Sequence, residues 1–311
     1  MDGDAAGATL RFDTAGNAID AHDGGTVRFG DTYYLYGTSY GCGFTWQGPG
    51  SPFCGFRVYS STDLSRWTDR GALFDAHTPA WQQACNGSTY GCFRPHVVYN
   101  AHTRRYVLWF NSYDNTVDYH VFTAARPTGP FVEAPKPTLA INKAASPTGA
   151  DNGDENLFVD HDGTAYLAYT DWIGGGDLVV EQLDRTYTSG TGRFVRLNTR
   201  STEAPGLFRR GARYYLTYSD PNCGYCGGTG TSYLTASSPL GPWTGSGTTP
   251  DIWRVADGGL TVNGGDIGLS KAGPDWTDYT MSFDTTPLQT GDGGTYAQAG
   301  WVFRADGTGT G

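Results

Sequence analysis

The chain is poor in the features that build amphipathic helices, membrane spans and nucleic-acid-binding surfaces. Only 17% of its 311 residues are charged, and methionine occurs twice. No stretch keeps the 3.6-residue apolar period of a helix, and no apolar run approaches the roughly 18 residues of a membrane span. The formal net charge is −10, and the clustered lysines and arginines that bind a phosphate backbone are missing. We therefore expect no nucleic-acid partner and no membrane insertion.

The start of the chain, "MDGDAAGATL", has neither a basic segment nor an apolar core, so no signal peptide is predicted within it. The six cysteines nevertheless fall into three close pairs: Cys42 with Cys54, Cys85 with Cys92, and Cys223 with Cys226. Such local pairing in glycine-rich loops predicts disulfides in a secreted protein. For "CGYC" at 223–226 the alternative is a zinc or redox motif, but zinc requires a second ligand pair and a redox motif requires a βαβ setting.

Glycine and aromatic residues are abundant instead. The chain has 46 glycines, 20 tyrosines and 9 tryptophans, which favours many short strands joined by tight turns. An apolar strand, a polar turn and a tyrosine-rich strand recur four times, at 26–39, 97–110, 157–171 and 207–220. A further strand and turn follow each copy, so each unit has about four strands. Four-stranded units in series predict an all-β fold and the blades of a β-propeller.

The blade pattern ends near Gly245. From Asp251 onward the sequence has short apolar segments and Gly-Gly turns without the blade pattern, which indicates a second module of sandwich type. We therefore divide the chain into a β-propeller over 1–248 and a module over 249–311. The second part is short for a complete sandwich, so we expect it to be a partial one.

The repeats carry charged residues at one common position. Aligned on Tyr34, Tyr106, Tyr166 and Tyr215, the residues 11 or 12 positions earlier are Asp23, Arg94, Asp154 and Glu203. In a propeller the first strand of each blade lines the central channel, so these positions converge. Clustered carboxylates can divide into a protonated acid and an anionic base, which is what cleavage of a glycosidic bond requires. The alternative is that each Asp forms a turn, although Glu203 stands before Ala-Pro, a rigid extended start.

Four motifs over Ala18 to Gly245 together resemble glycoside hydrolase family 43; they are "HDGGTVRFGDTYYLYG", "RPHVVYN", "DENLFVDHDGTAYLAYTD" and "EAPGLFRRGARYYLTYSD". The resemblance implies a five-bladed propeller that cleaves arabinan, xylan or galactan with inversion, most similar to the exo-β-1,3-galactanase-like branch. Since four blades are clear, the fifth is either missing or formed by the N-terminal strand and residues 246–270. The C-terminal part resembles concanavalin-like sandwich modules.

The resemblance also implies roles for the acids. Asp23 would be the general base, Asp154 the carboxylate that orients the acid and modulates its pKa, and Glu203 the general acid. Two positions depart from the galactanase-like branch, which usually has glycine at the place of Asp23 and an acid at the place of Phe93. We expect further residues near the channel mouth to contact the substrate, although packing between blades would also explain their presence. These residues are His22, Phe93, Arg94, His96 and Trp172.

The function expected from these residues is an inverting, exo-acting glycoside hydrolase that releases terminal sugars from galactan, arabinan or arabinogalactan. It would act as a monomer on a polysaccharide or oligosaccharide, without cofactor or metal. A structural calcium occurs in some relatives, but no "D-x-D-x-D" spacing supports one here. The alternatives are a catalytically impaired carbohydrate-binding propeller and a purely structural or adhesion propeller.

Overall fold

The computed structural model describes residues 11–45, 52–74, 85, 91–112, 118–141, 152–219 and 231–247. These residues form sixteen β-strands in four antiparallel sheets of four strands each, and no helix occurs among them. The predicted all-β class and the four-blade propeller arrangement are therefore confirmed. Within the described ranges, no helix is long and apolar enough to cross a membrane.

Each sheet is one blade, and its strands follow one another in chain order. Blade 1 contains β1 (Thr26–Phe29), β2 (Thr32–Thr38), β3 (Phe56–Ser61) and β4 (Thr68–Ala72). Blade 2 contains β5 (Cys92–Asn100), β6 (Arg105–Ser112), β7 (Asp118–Ala124) and β8 (Val132–Glu133). Blade 3 contains β9 (Asn152–Val159), β10 (Ala165–Asp171), β11 (Asp177–Leu183) and β12 (Gly190–Leu197). Blade 4 contains β13 (Glu203–Arg210), β14 (Arg213–Ser219), β15 (Thr231–Ala236) and β16 (Trp243–Gly247).

The first strands of successive blades are neighbours, because β5 contacts both β1 and β9, and β9 contacts β13. Three apolar clusters fill the spaces between blades 1 and 2, 2 and 3, and 3 and 4. In the first, the rings of Phe56 and Phe110 lie 5.0 Å apart. In the second, the indole of Trp109 donates to the Tyr187 carbonyl at 2.8 Å. Burial of these faces holds each inner strand against the next.

The alternatives for a fifth blade are only partly covered by the described residues. Residues 11–25, the described part of the segment before blade 1, form no strand; Phe12 bridges to Ala18, Asp13 to Trp67 beside β4, and His22 to Thr38 of β2. Residues 246 and 247 are the end of β16 and thus belong to blade 4. The rest of 246–270 and the module predicted over 249–311 lie outside the described residues, so this boundary stays a prediction.

Two of the three predicted disulfides are present. Cys42–Cys54 closes the connection between β2 and β3, and Cys85–Cys92 fastens the chain to the start of β5. Cys223 and Cys226 lie outside the described residues. The two disulfides are consistent with a protein that acts outside the cell.

Candidate active site

The inner hairpin of every blade is interrupted at the same level by one extra residue, which lies just before β1 in blade 1 and within the first strand of the other three blades. The residue pairs on either side of the interruption are as follows: in blade 1, His22–Thr38 and Thr26–Leu35; in blade 2, Phe93–Asn111 and His96–Trp109; in blade 3, Asn152–Asp171 and Glu155–Tyr169; in blade 4, Glu203–Ser219 and Gly206–Thr217. At three of these bulges a non-glycine residue has positive φ, namely Asp23 (53°), Arg94 (58°) and Ala204 (52°). A bulge redirects the side chains next to it, so the recurring charged residues leave the ladder where the blades meet.

Asp154 joins three blades. Its Oδ2 accepts a hydrogen bond from Arg94 Nη2 of blade 2 at 2.7 Å. The same oxygen accepts from the backbone N–H of Ala204 in blade 4 at 3.1 Å. Both side chains of the ion pair are mostly buried, with exposed fractions of 22% for Arg94 and 14% for Asp154. A charge-assisted pair of this length in partly buried surroundings fixes Asp154 in place.

Glu203 is the first residue of β13, is half-buried, and lies directly before the residue that donates to Asp154. It pairs with Ser219 across the bulge of blade 4. The hydrogen bond from the Ala204 N–H therefore brings the backbone directly after Glu203 to Asp154.

Asp23 occupies the bulge of blade 1, where its Oδ1 accepts from the Thr38 N–H at 3.4 Å. Burial of the carboxyl is the main cause that raises its pKa to about 7. The nearby charge of Asp154 acts in the same direction, whereas the Thr38 hydroxyl and Arg94 favour the anion. Asp23 is thus close enough for both members of the Arg94–Asp154 pair to affect its pKa.

Glu155 is a carboxyl that the repeat alignment missed. It has no exposed surface, and among the described residues neither of its carboxylate oxygens has a hydrogen-bond partner. Burial raises its pKa well above the usual value, with Asp154 and Asp23 adding to the shift and Arg94 opposing it. Strand alternation puts Glu155 on the same face as Leu157, which is a signal that could have identified it as buried.

The two predicted histidines have different surroundings. The His96 ring lies against Gly25, where an added Cβ would come within 3.1 Å of Nδ1 and Cε1. Burial, with a smaller effect of Arg94, lowers the pKa of His96 to about 3, so the ring is neutral. His22 is half-exposed; its Nε2 lies 3.2 Å from Asp20 Oδ1, and its ring meets Tyr40 edge-on at 4.8 Å. Both are near the Asp23 bulge.

The two aromatic side chains predicted to contact substrate, Phe93 and Trp172, pack against other residues of the protein. Phe93 is 6% exposed, and its ring lies 5.8 Å from that of Phe44. Trp172 follows β10 and is partly exposed, with its indole between Gly153 and Gly176, where added Cβ atoms would approach within 2.8 and 2.9 Å of the ring. A contact of either ring with sugar stays a prediction. Trp46, Tyr113 and Tyr225, which could also stack on sugar, lie outside the described residues.

Within the described residues, no group of three or more His, Cys, Asp or Glu side chains is arranged to hold a metal ion. In the acid cluster the cation is Arg94, which binds Asp154 directly. The candidate site contains Asp23, Asp154, Glu155, Glu203 and Arg94. Its carboxyl groups are of the kind that donate and accept protons in catalysis.

Fold and site together define a β-propeller protein with a carboxylate-rich centre where its first strands meet. The chain belongs to Glycosyl hydrolases family 43, whose sequence profile matches residues 17–256. The family predicted from the four motifs is thus confirmed, and its members are glycoside hydrolases.

Individual relatives agree with the family. A β-D-galactofuranosidase of Aspergillus niger is 27% identical over 232 residues, which cover 73% of this chain and 65% of that protein. An exo-β-1,3-galactanase of Phanerochaete chrysosporium, solved with β-1,3-galactotriose, is 28% identical with a TM-score of 0.62 over 78% of this chain and 53% of that one. A family 43 β-1,3-galactosidase solved with galactodeoxynojirimycin is 25% identical with a TM-score of 0.62, over 79% of this chain and 82% of that one. The chain therefore spans about two thirds or less of the first two relatives.

Proposed function

We propose that the protein is an inverting, exo-acting glycoside hydrolase that releases terminal galactosyl residues from galactan or arabinogalactan-type chains outside the cell. The observation that carries the proposal is the double hydrogen bond to Asp154 Oδ2, from Arg94 of blade 2 and from the N–H that follows Glu203 in blade 4. Together with the electrostatic coupling of Asp23 to Asp154, it supports one shared site for the three acids that the sequence singled out.

In the proposed reaction Glu203 gives a proton to the glycosidic oxygen as the bond to the anomeric carbon breaks. Asp23 removes a proton from a water molecule that attacks the same carbon from the opposite face, which inverts its configuration. Such a pair operates with the two carboxyls about 6.5–9.5 Å apart, leaving room for the water. The negative charge of Asp154 favours the protonated form of a neighbouring acid. A pKa of about 7 lets Asp23 accept that proton near neutral pH.

The sugar is proposed from the relatives, since the three reported above act on, or were solved with, galactose-type compounds. His22 and His96 would donate or accept hydrogen bonds to sugar hydroxyls, and Trp172 would stack on a pyranose face. Arabinan stays a less favoured substrate. We propose that the protein acts as a monomer, because the acid cluster is assembled from blades of a single chain.

The test is sugar release by the wild type and by Glu203→Gln. The substrates are β-1,3-galactobiose and the 4-nitrophenyl β-galactopyranoside, β-galactofuranoside, α-arabinofuranoside and β-xyloside. We expect release from a galactosyl substrate, inversion of the product by NMR, and a loss of about 100-fold or more in Glu203→Gln. Glu133→Gln, an exposed change of the same type on β8, should remain active.

A second candidate is a carbohydrate-binding propeller without catalysis, favoured by Phe93 at a place where the galactanase-like branch has an acid. It predicts that galactobiose binds by calorimetry while no substrate releases sugar. Absence of both binding and release would instead support a structural or adhesion role.

A further inference from the structure

Arg196 of β12 lies outside the bulges, yet it is connected to Glu203 through one loop. Its guanidinium pairs with Asp171 (Nη2 to Oδ2, 2.5 Å) and with Asp177 (Nη1 to Oδ2, 3.5 Å). Asp171 ends β10 and Asp177 begins β11, so Arg196 closes the loop that joins these strands. Asp171 has no exposed surface, and removing its cation would leave a buried charge uncompensated.

The loop closed by Arg196, residues 171–177, is built for close approach. Gly174 stands where an added Cβ would collide with Arg196 Nη1, so the guanidinium is packed directly on the backbone. Gly174 N–H donates to Asp171 Oδ1 at 3.1 Å, and Gly176 N–H donates to the Asp171 carbonyl at 3.0 Å. A Cβ on Gly176 would come within 2.7 Å of the Ser201 nitrogen and 2.9 Å of the Trp172 ring.

The far side of this loop holds the residues that lead into β13. The Gly175 carbonyl accepts from the Ser201 N–H at 2.9 Å. The Gly176 carbonyl accepts from both the N–H and the hydroxyl of Thr202 at 3.1 Å. The Thr202 carbonyl in turn accepts from the Thr170 hydroxyl at 3.2 Å. Thr202 is buried and is therefore fixed through its N–H, its hydroxyl and its carbonyl, immediately before Glu203.

We propose that Arg196 is a positioning residue for the proton donor: by closing the loop 171–177 it fixes Thr202, and through Thr202 the direction in which Glu203 leaves the start of β13. The inference rests on the proposed role of Glu203. Arg196 itself does not contact the substrate in this proposal. Replacing Arg196 changes the orientation of Glu203 relative to the glycosidic oxygen. A displacement of about 1 Å at a reacting group can cost about 100-fold in rate.

The first test uses two leaving groups on the sugar that the wild type releases. A 2,4-dinitrophenyl glycoside departs with little help from an acid, whereas a 4-nitrophenyl glycoside or disaccharide needs more. Arg196→Met should lose roughly 10- to 100-fold on the substrate that needs the acid, and several-fold less on the dinitrophenyl glycoside, with KM little changed. Arg193→Met, the same change at an exposed position of β12, should lose nothing on either.

Two substitutions at Thr202 test the same inference if Arg196→Met does not fold. Thr202→Val keeps the shape of the side chain but removes the hydroxyl that donates to Gly176, while Thr202→Ser keeps that hydroxyl. We expect Thr202→Val to show the same leaving-group-dependent loss, and Thr202→Ser to recover most of the wild-type rate. A lower amount of folded protein would reduce both substrates equally, so equal losses would overturn the inference.

Amide hydrogen exchange tests the positioning without substrate. Thr202→Val, and Arg196→Met where it folds, should exchange faster than the wild type at Ser201 and Thr202, with β5–β8 of blade 2 unchanged. Unchanged exchange at these two amides would overturn the inference even for an active enzyme. A wild type that releases no sugar would overturn the proposed function alone, since the exchange experiment still decides whether Arg196 fixes the start of β13.

Discussion

At the scale of single residues, the two adjacent carboxyls of β9 have opposite surroundings. Asp154 accepts hydrogen bonds from Arg94 and Ala204, whereas Glu155 is buried without a hydrogen bond among the described residues. Successive side chains of a strand point to opposite faces, so one step in sequence separates an anion held by two hydrogen bonds from a carboxyl whose pKa is raised by burial. The sequence identified Asp154 by its recurrence but gave no equivalent mark to Glu155.

We predict that Glu155→Gln raises the free energy of unfolding at neutral pH. Because burial raises the folded-state pKa of Glu155, the folded protein keeps a proton that the unfolded chain releases above about pH 4.3. The stability of the wild type therefore falls as the pH rises from the unfolded-state pKa of Glu155 toward its higher folded-state pKa, and the glutamine variant lacks this loss. Urea unfolding at pH 4, 6 and 8 should show a gain that is small at pH 4 and grows with pH. Glu133→Gln should show no such trend, and a gain independent of pH would contradict the prediction.

A second residue-scale prediction concerns the pH dependence of catalysis. Asp23 must be anionic to act as the base, and its pKa is raised to about 7, chiefly by burial. Values of kcat/KM should therefore rise with pH through the region near 7 and fall by about 100-fold or more in Asp23→Asn. Asp31→Asn, an exposed change next to β1, serves as the control. A profile that is flat between pH 5 and 8 would remove Asp23 from the role of base.

At the scale of the element, the bulges decide which side chains enter the site. Register analysis of the sequence placed Asp23, Arg94, Asp154 and Glu203 at equivalent positions. The structure shows positive φ at Asp23, Arg94 and Ala204, so in blade 4 the acid, Glu203, lies one residue before the residue with positive φ. The alignment could find the level of the site but not this offset, because a bulge is set by pairing with the second strand.

The strained bulge of blade 4 can be tested with a matched pair. Ala204 has φ of 52° and donates its N–H to Asp154. Ala204→Val should lower the free energy of unfolding by about 1–3 kcal/mol, because a β-branched residue resists this conformation, and should lower activity as well. Ala204→Gly should be neutral or stabilising by up to about 1 kcal/mol. Thermal unfolding with kinetics on the same samples decides the matter, and the prediction is wrong if valine proves the more stable of the two.

At the scale of the whole molecule, the acids meet only because the blades pack. The cluster between blades 3 and 4 contains Leu178 and Leu216, both without exposed surface. Leu216→Ala should lower the free energy of unfolding by about 2–5 kcal/mol through the cavity that it leaves. Because that cavity opens between the blades that carry Asp154 and Glu203, activity should fall before the protein unfolds. If activity instead follows the folded fraction, as measured by circular dichroism during a temperature series, packing between blades 3 and 4 does not affect the relative positions of Asp154 and Glu203.

The sequence by itself determined the all-β class, the four blades, the family and two of the three predicted disulfides, because each depends on short-range patterns: alternating apolar residues, turn residues and close cysteine pairs. Only the tertiary structure decided that Arg94 binds Asp154, that Glu155 is buried with no hydrogen bond to any described residue, and that Arg196 reaches the start of β13 through a loop. These features depend on residues that are far apart in the chain or that lie on opposite faces of one strand. Their geometry follows from blade packing and bulges, which no local pattern encodes.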